Sequence, residues 1–474
     1  LDDDGRRTGH AAWVASPQGF WMSHVLLPDD GGRKRDMLLG LMAAAVPELW
    51  GRAAWRRIQE TGSLGGAAQP AELAARVRAQ AQAAPGRAAV EQQVAAALAA
   101  HAEAVRAYQA GDYRAADLAA RAAGEHFTHA LAQSLQPVAG EFRGVWDHDG
   151  LGWHDGDWRR TCRELKGFGF NAVLSNVAWP GKIHYAGAAW PRSARFAQYG
   201  DLLAAAIQAA HREKLAVHAW KICWNLTAAE PDLIRALRRA GRLIGDDGPA
   251  ASPWLNPADP RNRAAELAAV IELATQYDVA GVHLDYIRYP TGAAGYDAAT
   301  RRSFAADRGG AMDPWPAAIL PGGARHAEFT AWRCAQITSF LAEVRAALRA
   351  AAPDVKLSVA VFGNYPETRV SIGQDWGAWL AQDLVDFVCP MNYTTDAREF
   401  RELVARQVAL PGAAGRLYPG LGITASATQL DGLGALTQVQ TARELGARGF
   451  VLFQLDAVLR EQILPLFAEG LTRE

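Results

Sequence analysis

The sequence predicts a (β/α)₈ barrel preceded by a mainly helical segment. Two observations carry this. After Pro137 the pattern changes to eight short apolar runs separated by helical stretches, the signature of a parallel sheet covered by helices. No Gly-rich phosphate loop follows the first run, which argues against a nucleotide-binding doubly wound sheet.

Taken in order, residues 9–27 read as a β-hairpin, GHAAWVAS and FWMSHVLL, turning at Pro17-Gln18-Gly19. We assign 1–30 to this hairpin, a possible remnant of an upstream domain. The chain opens on Leu1 followed by three aspartates with no initiator Met, so a processed or excised chain is expected and localisation is undetermined from this end. Residues 31–137 carry Leu, Ala, Val and Trp at three- and four-residue spacing, broken at 62–70 and 85–86, and read as helices. Gly111-Asp112 marks a helical hairpin with Asp112 as cap. Nothing in this segment clusters acids, bases or nucleophiles, so it is expected to be scaffold, packing away from the barrel mouth.

The barrel, 141–470, places strands at 142–147, 170–177, 215–224, 281–287, 356–363, 385–393, 416–424 and 449–455. Helices are expected at 157–167, 201–214, 261–277, 328–352, 438–445 and 457–467.

Composition excludes several classes. With 49 Lys+Arg against 50 Asp+Glu there is no basic surface for nucleic acid, and no apolar run approaches the roughly 20 residues of a membrane helix. The four cysteines lie far apart without CxxC spacing, so neither a disulfide framework nor a zinc cluster is indicated, and no cofactor is expected. Sixteen Trp is roughly two to three times ordinary usage. Oligomeric state is not legible.

Barrel active sites are built where strands end, and here those ends are polar. The first strand runs into Asp147-His148-Asp149, the second into Asn176 and Trp179, and the third into Trp220, Lys221 and Asn225. The fourth gives His283, Asp285, Tyr286 and Arg288, the sixth Asn392 and Tyr393, and the eighth Gln454. Alternation puts His283 and Asp285 on one face, with Asp285 one layer nearer the mouth. Its structural alternative is an ion pair with Arg288 or His283.

The stretches FNAVLSNVAWPG, VHAWKICWNL, GVHLDYIRYP and GQDWGAWLAQDLVDFVCPMNYT resemble the glycosyl hydrolase-like family 10 barrel proteins, a group similar to the hydrolase domain of poly-N-acetylglucosamine deacetylases. The resemblance covers about 141–467 and implies a barrel acting on glycans, with secretion or the cell envelope as location. Chitinases, more distant, end the fourth strand in D-x-D-x-E. Here the matching positions are His283, Asp285 and Ile287, and Ile287 cannot donate a proton, which leaves Asp285 as the acid. Met391-Asn392-Tyr393 resembles the chitinase motif that contacts an N-acetyl group, but Thr394 replaces its following Asp. No carboxylate follows Gly422-Ile423-Thr424, so the usual strand-seven nucleophile is missing.

Glycoside hydrolysis ordinarily needs a second carboxyl. We rank Asp147 and Asp375 first, ahead of Asp456 and Glu367. Asp375 has a reading as a helix cap and Asp149 as a turn residue. The expected catalytic set is Asp285, Asp147 and Asp375. Substrate contacts are assigned to Asn176, Trp179, Trp220, Lys221, Asn225, His283, Tyr286, Arg288, Asn392, Tyr393 and Gln454. The expected function is hydrolysis, within chains, of a polysaccharide or long oligosaccharide. Of the Trp residues at strand ends (146, 153, 179, 190, 220, 224, 376 and 379), about half are expected to be core and the rest to face the cleft. Two alternatives stand beside this: a metal-dependent barrel hydrolase using His148, His154, His218 or His283, and a glycan-binding barrel without turnover.

Overall fold

The computed structural model describes residues 13–16, 19–22, 31–62, 67–83, 86–244, 253–292, 294–310 and 313–473. The chain divides into two compact units, 1–135 and 136–474.

In the first unit, β1 (Trp13–Ser16) and β2 (Gly19–Met22) pair antiparallel. Pro17, Gln18 and the outer parts of both expected strands lie outside the described residues. Helices follow at Gly31–Ala45, Glu48–Gly62, Pro70–Gln80, Arg87–Gln109 and Tyr113–Ser134. Pro at the first position starts the third, where its missing N–H costs nothing. Gly111 turns with φ 80°, and Asp112 accepts from Ala115 N–H at 3.0 Å to cap the last helix. Buried alanines Ala54, Ala104, Ala107, Ala116 and Ala120, with Ile58, let these helices pack closely.

In the second unit, β3 (Phe142–Asp147), β4 (Ala172–Trp179), β6 (Ala216–Ile222), β7 (Gly281–Asp285), β8 (Lys356–Phe362), β9 (Phe387–Met391), β10 (Gly420–Gly422) and β13 (Gly449–Phe453) form the barrel wall. All eight pair parallel in that order, and β13 closes on β3. Short strands β5 (Lys182–Ile183), β11 (Thr424–Ala425) and β12 (Thr428–Gln429) lie in the βα loops. The seventh barrel strand is shorter than expected because Pro419 has no N–H for the ladder.

The helices begin where aspartates can cap them. Asp157, Asp201, Asp259, Asp297, Asp396 and Asp431 each accept a first-turn N–H. The cap at Asp431 starts the Gly432–Glu444 helix six residues before the predicted 438, two glycines in its first turn having masked the helical pattern.

The barrel interior is filled in layers. Phe142 stacks on Tyr418 at 4.7 Å at one end, and Trp146, Leu174, Trp220, Ile222, Ala360, Cys389 and Val451 fill the middle. The wall is tied at its base by Arg443, which donates to both oxygens of buried Glu141 at 2.7 Å. The four cysteines are free and buried. Among the described residues no helix is long and apolar enough to cross a membrane.

Candidate active site

A cavity of about 580 Å³ opens at the C-terminal ends of the strands. Strand alternation decides which side chains reach it. On β7 the inward residues are His283 and then Asp285, in register with Trp220 and Ile222 of β6. Asp285 lines the cavity floor and is 7% exposed. Among the described residues no Lys, Arg or His lies within ion-pair distance of it. Its Oδ1 accepts the Tyr286 N–H at 2.6 Å. Burial pushes this carboxyl up to about 6, against the smaller opposing pull of the Tyr286 N–H, the Arg288 guanidinium and His148. The Trp220 indole N–H lies near it without closing a hydrogen bond.

The backbone beyond Asp285 is strained. Tyr286 has φ 55°, a region unfavourable for a residue with a Cβ, and is held there by Cys223 N–H on the Asp285 carbonyl and Arg288 N–H on its own. Tyr286 and Arg288 therefore turn back over the cavity. The Arg288 guanidinium lies over Tyr286, Phe362 and Trp254 and donates to the Tyr289 and Pro290 carbonyls. It does not neutralise Asp285 by direct contact.

On β4 a bulge sets the opposite wall. Asn176 is opposite Trp220, but Ala178 is opposite Lys221, so one residue is inserted and the alternation reverses. Asn176 and Trp179 thus both face the cavity, where regular pairing would have turned Trp179 away. Asn176 is buried and its Oδ1 has no hydrogen-bond partner among the described residues, as is true of the indole N–H groups of Trp179 and Trp220. Asn225 and Tyr393 complete the predicted residues found here; the ring of Tyr393 lies 5.7 Å from Phe453.

Six predicted residues do not line the cavity, and these are corrections. Asp147, Lys221 and Asn392 stand on the outward face, one position out of phase. Asp147 accepts from Ser175 Oγ at 2.9 Å and Gly152 N–H at 3.3 Å; burial pushes its carboxyl up to about 6, yet it is enclosed between the wall and the helices. Lys221 is buried against Glu266, on the helix Pro260–Gln276. Asn392 exchanges two hydrogen bonds with Gln407, at 2.9 and 2.7 Å. His283 faces inward but beneath the floor: Trp146 donates to its Nε2 at 3.0 Å, and its Nδ1 meets Ser358 Oγ at 2.9 Å. Burial holds it well below the usual imidazole range, so it is neutral and positions the floor. Asp375 accepts from Tyr365 Oη at 2.8 Å and pairs with Arg369 at 3.0 Å. Gln454, past the cis Phe453–Gln454 peptide, is also absent from the lining.

The other ranked acids fare no better. Asp456 caps the terminal helical turn through Leu459 N–H at 2.9 Å, and Glu367 is exposed on its own short helix. Of the eight tryptophans expected near strand ends only Trp179 and Trp220 reach the cavity; Trp146, Trp224, Trp376 and Trp379 are core. No three His, Cys, Asp or Glu side chains among the described residues converge to share a metal ion.

The sequence named His148 at the first strand end and as a metal ligand but not as a substrate contact, and it gave no sign of Phe362, Phe453 or Glu399 as lining residues. His148 is the next inward residue after Trp146, so alternation alone could have found it. Glu399 sits on the helix Ala397–Val408, where no strand-end signal marks it.

The Glycosyl hydrolase-like 10 family description matches residues 141–410, from β3 through the helix after β9. The chain belongs to the glycosyl hydrolase-like 10 family. Its expected resemblance is thereby met, and the barrel is that of a carbohydrate-active family. Among solved structures, the PgaB glycoside hydrolase domain from Bordetella bronchiseptica is 16% identical, with a TM-score of 0.54 over 66% of this chain and 94% of that one. The catalytic domain of a beta-amylase from Paenibacillus polymyxa is 15% identical, with a TM-score of 0.49 over 67% and 93%. The first of these likenesses supports the barrel fold of this family member. Among curated proteins none matches the sequence.

Proposed function

We propose that this glycosyl hydrolase-like 10 barrel hydrolyses glycosidic bonds within a polysaccharide or long oligosaccharide, with Asp285 as general acid. The observation that carries the reading is a buried carboxyl at the cavity floor that lacks an ion-pair partner and is raised to about 6. A general acid must hold its proton near working pH until the leaving oxygen approaches, and burial supplies that condition. Trp179, half-buried in the lining with Arg195 over one side of its ring, suits the C–H face of a pyranose ring. Asn176 Oδ1 and the two indole N–H groups are buried polar atoms awaiting a ligand's hydroxyl or amide groups. Internal cleavage is read from the segments that follow β3, β4, β6 and β7, which contribute His148, Pro180, Thr227 and Arg288 to the cavity lining.

The test is a glycan panel read by new reducing ends, with wild type and Asp285→Asn in parallel. Wild-type turnover lost by ~10²–10⁴ in the variant supports the assignment; a variant near the wild-type rate removes it. A second reading, a glycan-binding barrel without turnover, is favoured by one observation: Asp285 is the only buried carboxyl among the described cavity residues. Binding without new reducing ends for any glycan would select it.

A further inference from the structure

If Asp285 is the acid, hydrolysis still needs a group to activate water or attack the anomeric carbon. The only other carboxylate among the described cavity residues is Glu399, which is exposed and accepts from Thr394 Oγ1. A different group stands just past the end of β3. His148 lines the cavity together with Asp285. Its ring is clamped edge-on by Trp179 at 5.4 Å, Trp220 at 5.9 Å and Phe453 at 5.8 Å.

Behind the ring, His148 Nδ1 lies 3.3 Å from Asp149 Oδ1. A carboxylate only accepts, so Nδ1 carries a proton, and in the neutral imidazole the lone pair is on Nε2. No protein group among the described residues occupies Nε2. Asp149 is itself fixed: Arg195 donates to its carbonyl, lies 3.7 Å from its carboxylate and rests over the Trp179 ring at 4.9 Å. The His148 hydrogen bond holds the Asp149 carboxyl below the usual range, which keeps it ionised.

We propose that His148, oriented by Asp149, is the general base of an inverting hydrolysis, taking the place of the second carboxylate. The proposal rests on the hydrolase reading and deepens it. Water attacks the anomeric carbon from the face opposite the leaving group and gives one proton to His148 Nε2. The glycosidic C–O bond breaks, its electron pair stays on the leaving oxygen, and that oxygen takes the proton of Asp285. The imidazolium and the Asp285 carboxylate then exchange protons with solvent, so the sum is addition of one water. A glycan seated over Asp285 displaces its remaining water and raises the carboxyl further, so the acid keeps its proton over a wider range. Asp149 is a positioning residue in this scheme.

The experiment uses the full chain and a panel of β-linked glucose, galactose, mannose and N-acetylglucosamine oligosaccharides, with α-linked counterparts. The anomer formed first is read by proton NMR and is expected to be inverted. His148→Ala and His148→Gln, each checked by thermal unfolding, are expected to lose ~10²–10⁴ in kcat with KM little changed. Added imidazole should restore part of the His148→Ala loss and none of the Asp285→Asn loss. Asp149→Asn should lower kcat with KM unchanged, and Asp149→Glu should recover it. A product of retained configuration, or His148 variants at the wild-type rate, overturns the dyad while leaving Asp285 in place. Absence of wild-type turnover on the whole panel overturns the hydrolase reading and the dyad with it.

Discussion

At the scale of the residue, Asp285 ties function to stability. Its folded carboxyl titrates at about 6 against an ordinary value of 3.8, so the folded chain binds this proton more tightly than the unfolded one. That contribution is fully present below about pH 4 and is lost as pH rises through 6; above that, the buried carboxylate burdens the fold. One pKa unit corresponds to about 1.4 kcal/mol, so the burden at neutral pH is on the order of 1–3 kcal/mol. Asp285→Asn is therefore expected to melt higher than wild type at pH 7.5, with the margin shrinking toward pH 4.5. Parallel melting curves with the same difference at both pH values would count against it. For the same reason wild-type kcat/KM should fall above about pH 6, as the acid loses its proton. Asp147 has a similarly raised carboxyl but no access to the cavity. Asp147→Asn is expected to lose none of the ~10²–10⁴ a general acid contributes, as measured by turnover beside Asp285→Asn. The two aspartates separate a perturbed group that can meet substrate from one that cannot. Asp285 was legible in the sequence because alternation was followed along its strand. Asp147, Lys221 and Asn392 were misplaced where nearness to a strand end was taken as enough, although each is flanked by an inward-facing aromatic or apolar neighbour.

At the scale of the element, outward polar residues on the barrel strands bind the wall to its helices. Lys221 and Glu266 are a buried pair, and Glu266 also accepts the Trp224 N–H at 3.1 Å. Removing one partner leaves an uncompensated charge, whereas replacing both by apolar groups of similar volume can be neutral. Glu266→Ala is thus expected to lose about 3–5 kcal/mol of stability. The double change Lys221→Met with Glu266→Leu should recover most of it, and chemical denaturation of the three chains checks both. If the double variant falls as far as the single one, the pair contributes more than charge neutralisation. The β4 bulge is the element-scale feature the sequence hid. FNAVLSNV reads as a regular strand ending at 177, and only the pairing with β6 reveals that β4 runs on to Trp179 with a change of phase between Asn176 and Ala178. No propensity marks it, because Val177 suits a regular strand and a bulge alike.

At the scale of the whole molecule, the eight strands and several of the helices between them were legible because hydrophobic period and turn chemistry agree along much of 141–470, whereas the helices Trp376–Ala381 and Ala397–Val408 were not among those assigned. What was not legible is how a closed wall converts strand ends into one cavity: Asp285, His148, Asn176 and Tyr393 come from four strands and meet only once the barrel closes. The family match ends at residue 410, before β10 and β13, yet closure depends on those strands. The base of the wall is tied within the second unit by Arg443 on Glu141 and by Thr472 Oγ1 on the Phe168 carbonyl at 2.6 Å. Every side chain assigned to chemistry or to substrate also belongs to that unit. A chain starting at Gln136 is therefore expected to fold and to keep the turnover of the full protein on any glycan that the full protein cleaves, with the same spread of mid-length products early in the reaction. Release of single sugars from the outset would contradict internal cleavage in both chains. A folded but inactive shorter chain would instead assign residues 1–135 a part in holding the substrate or the mouth.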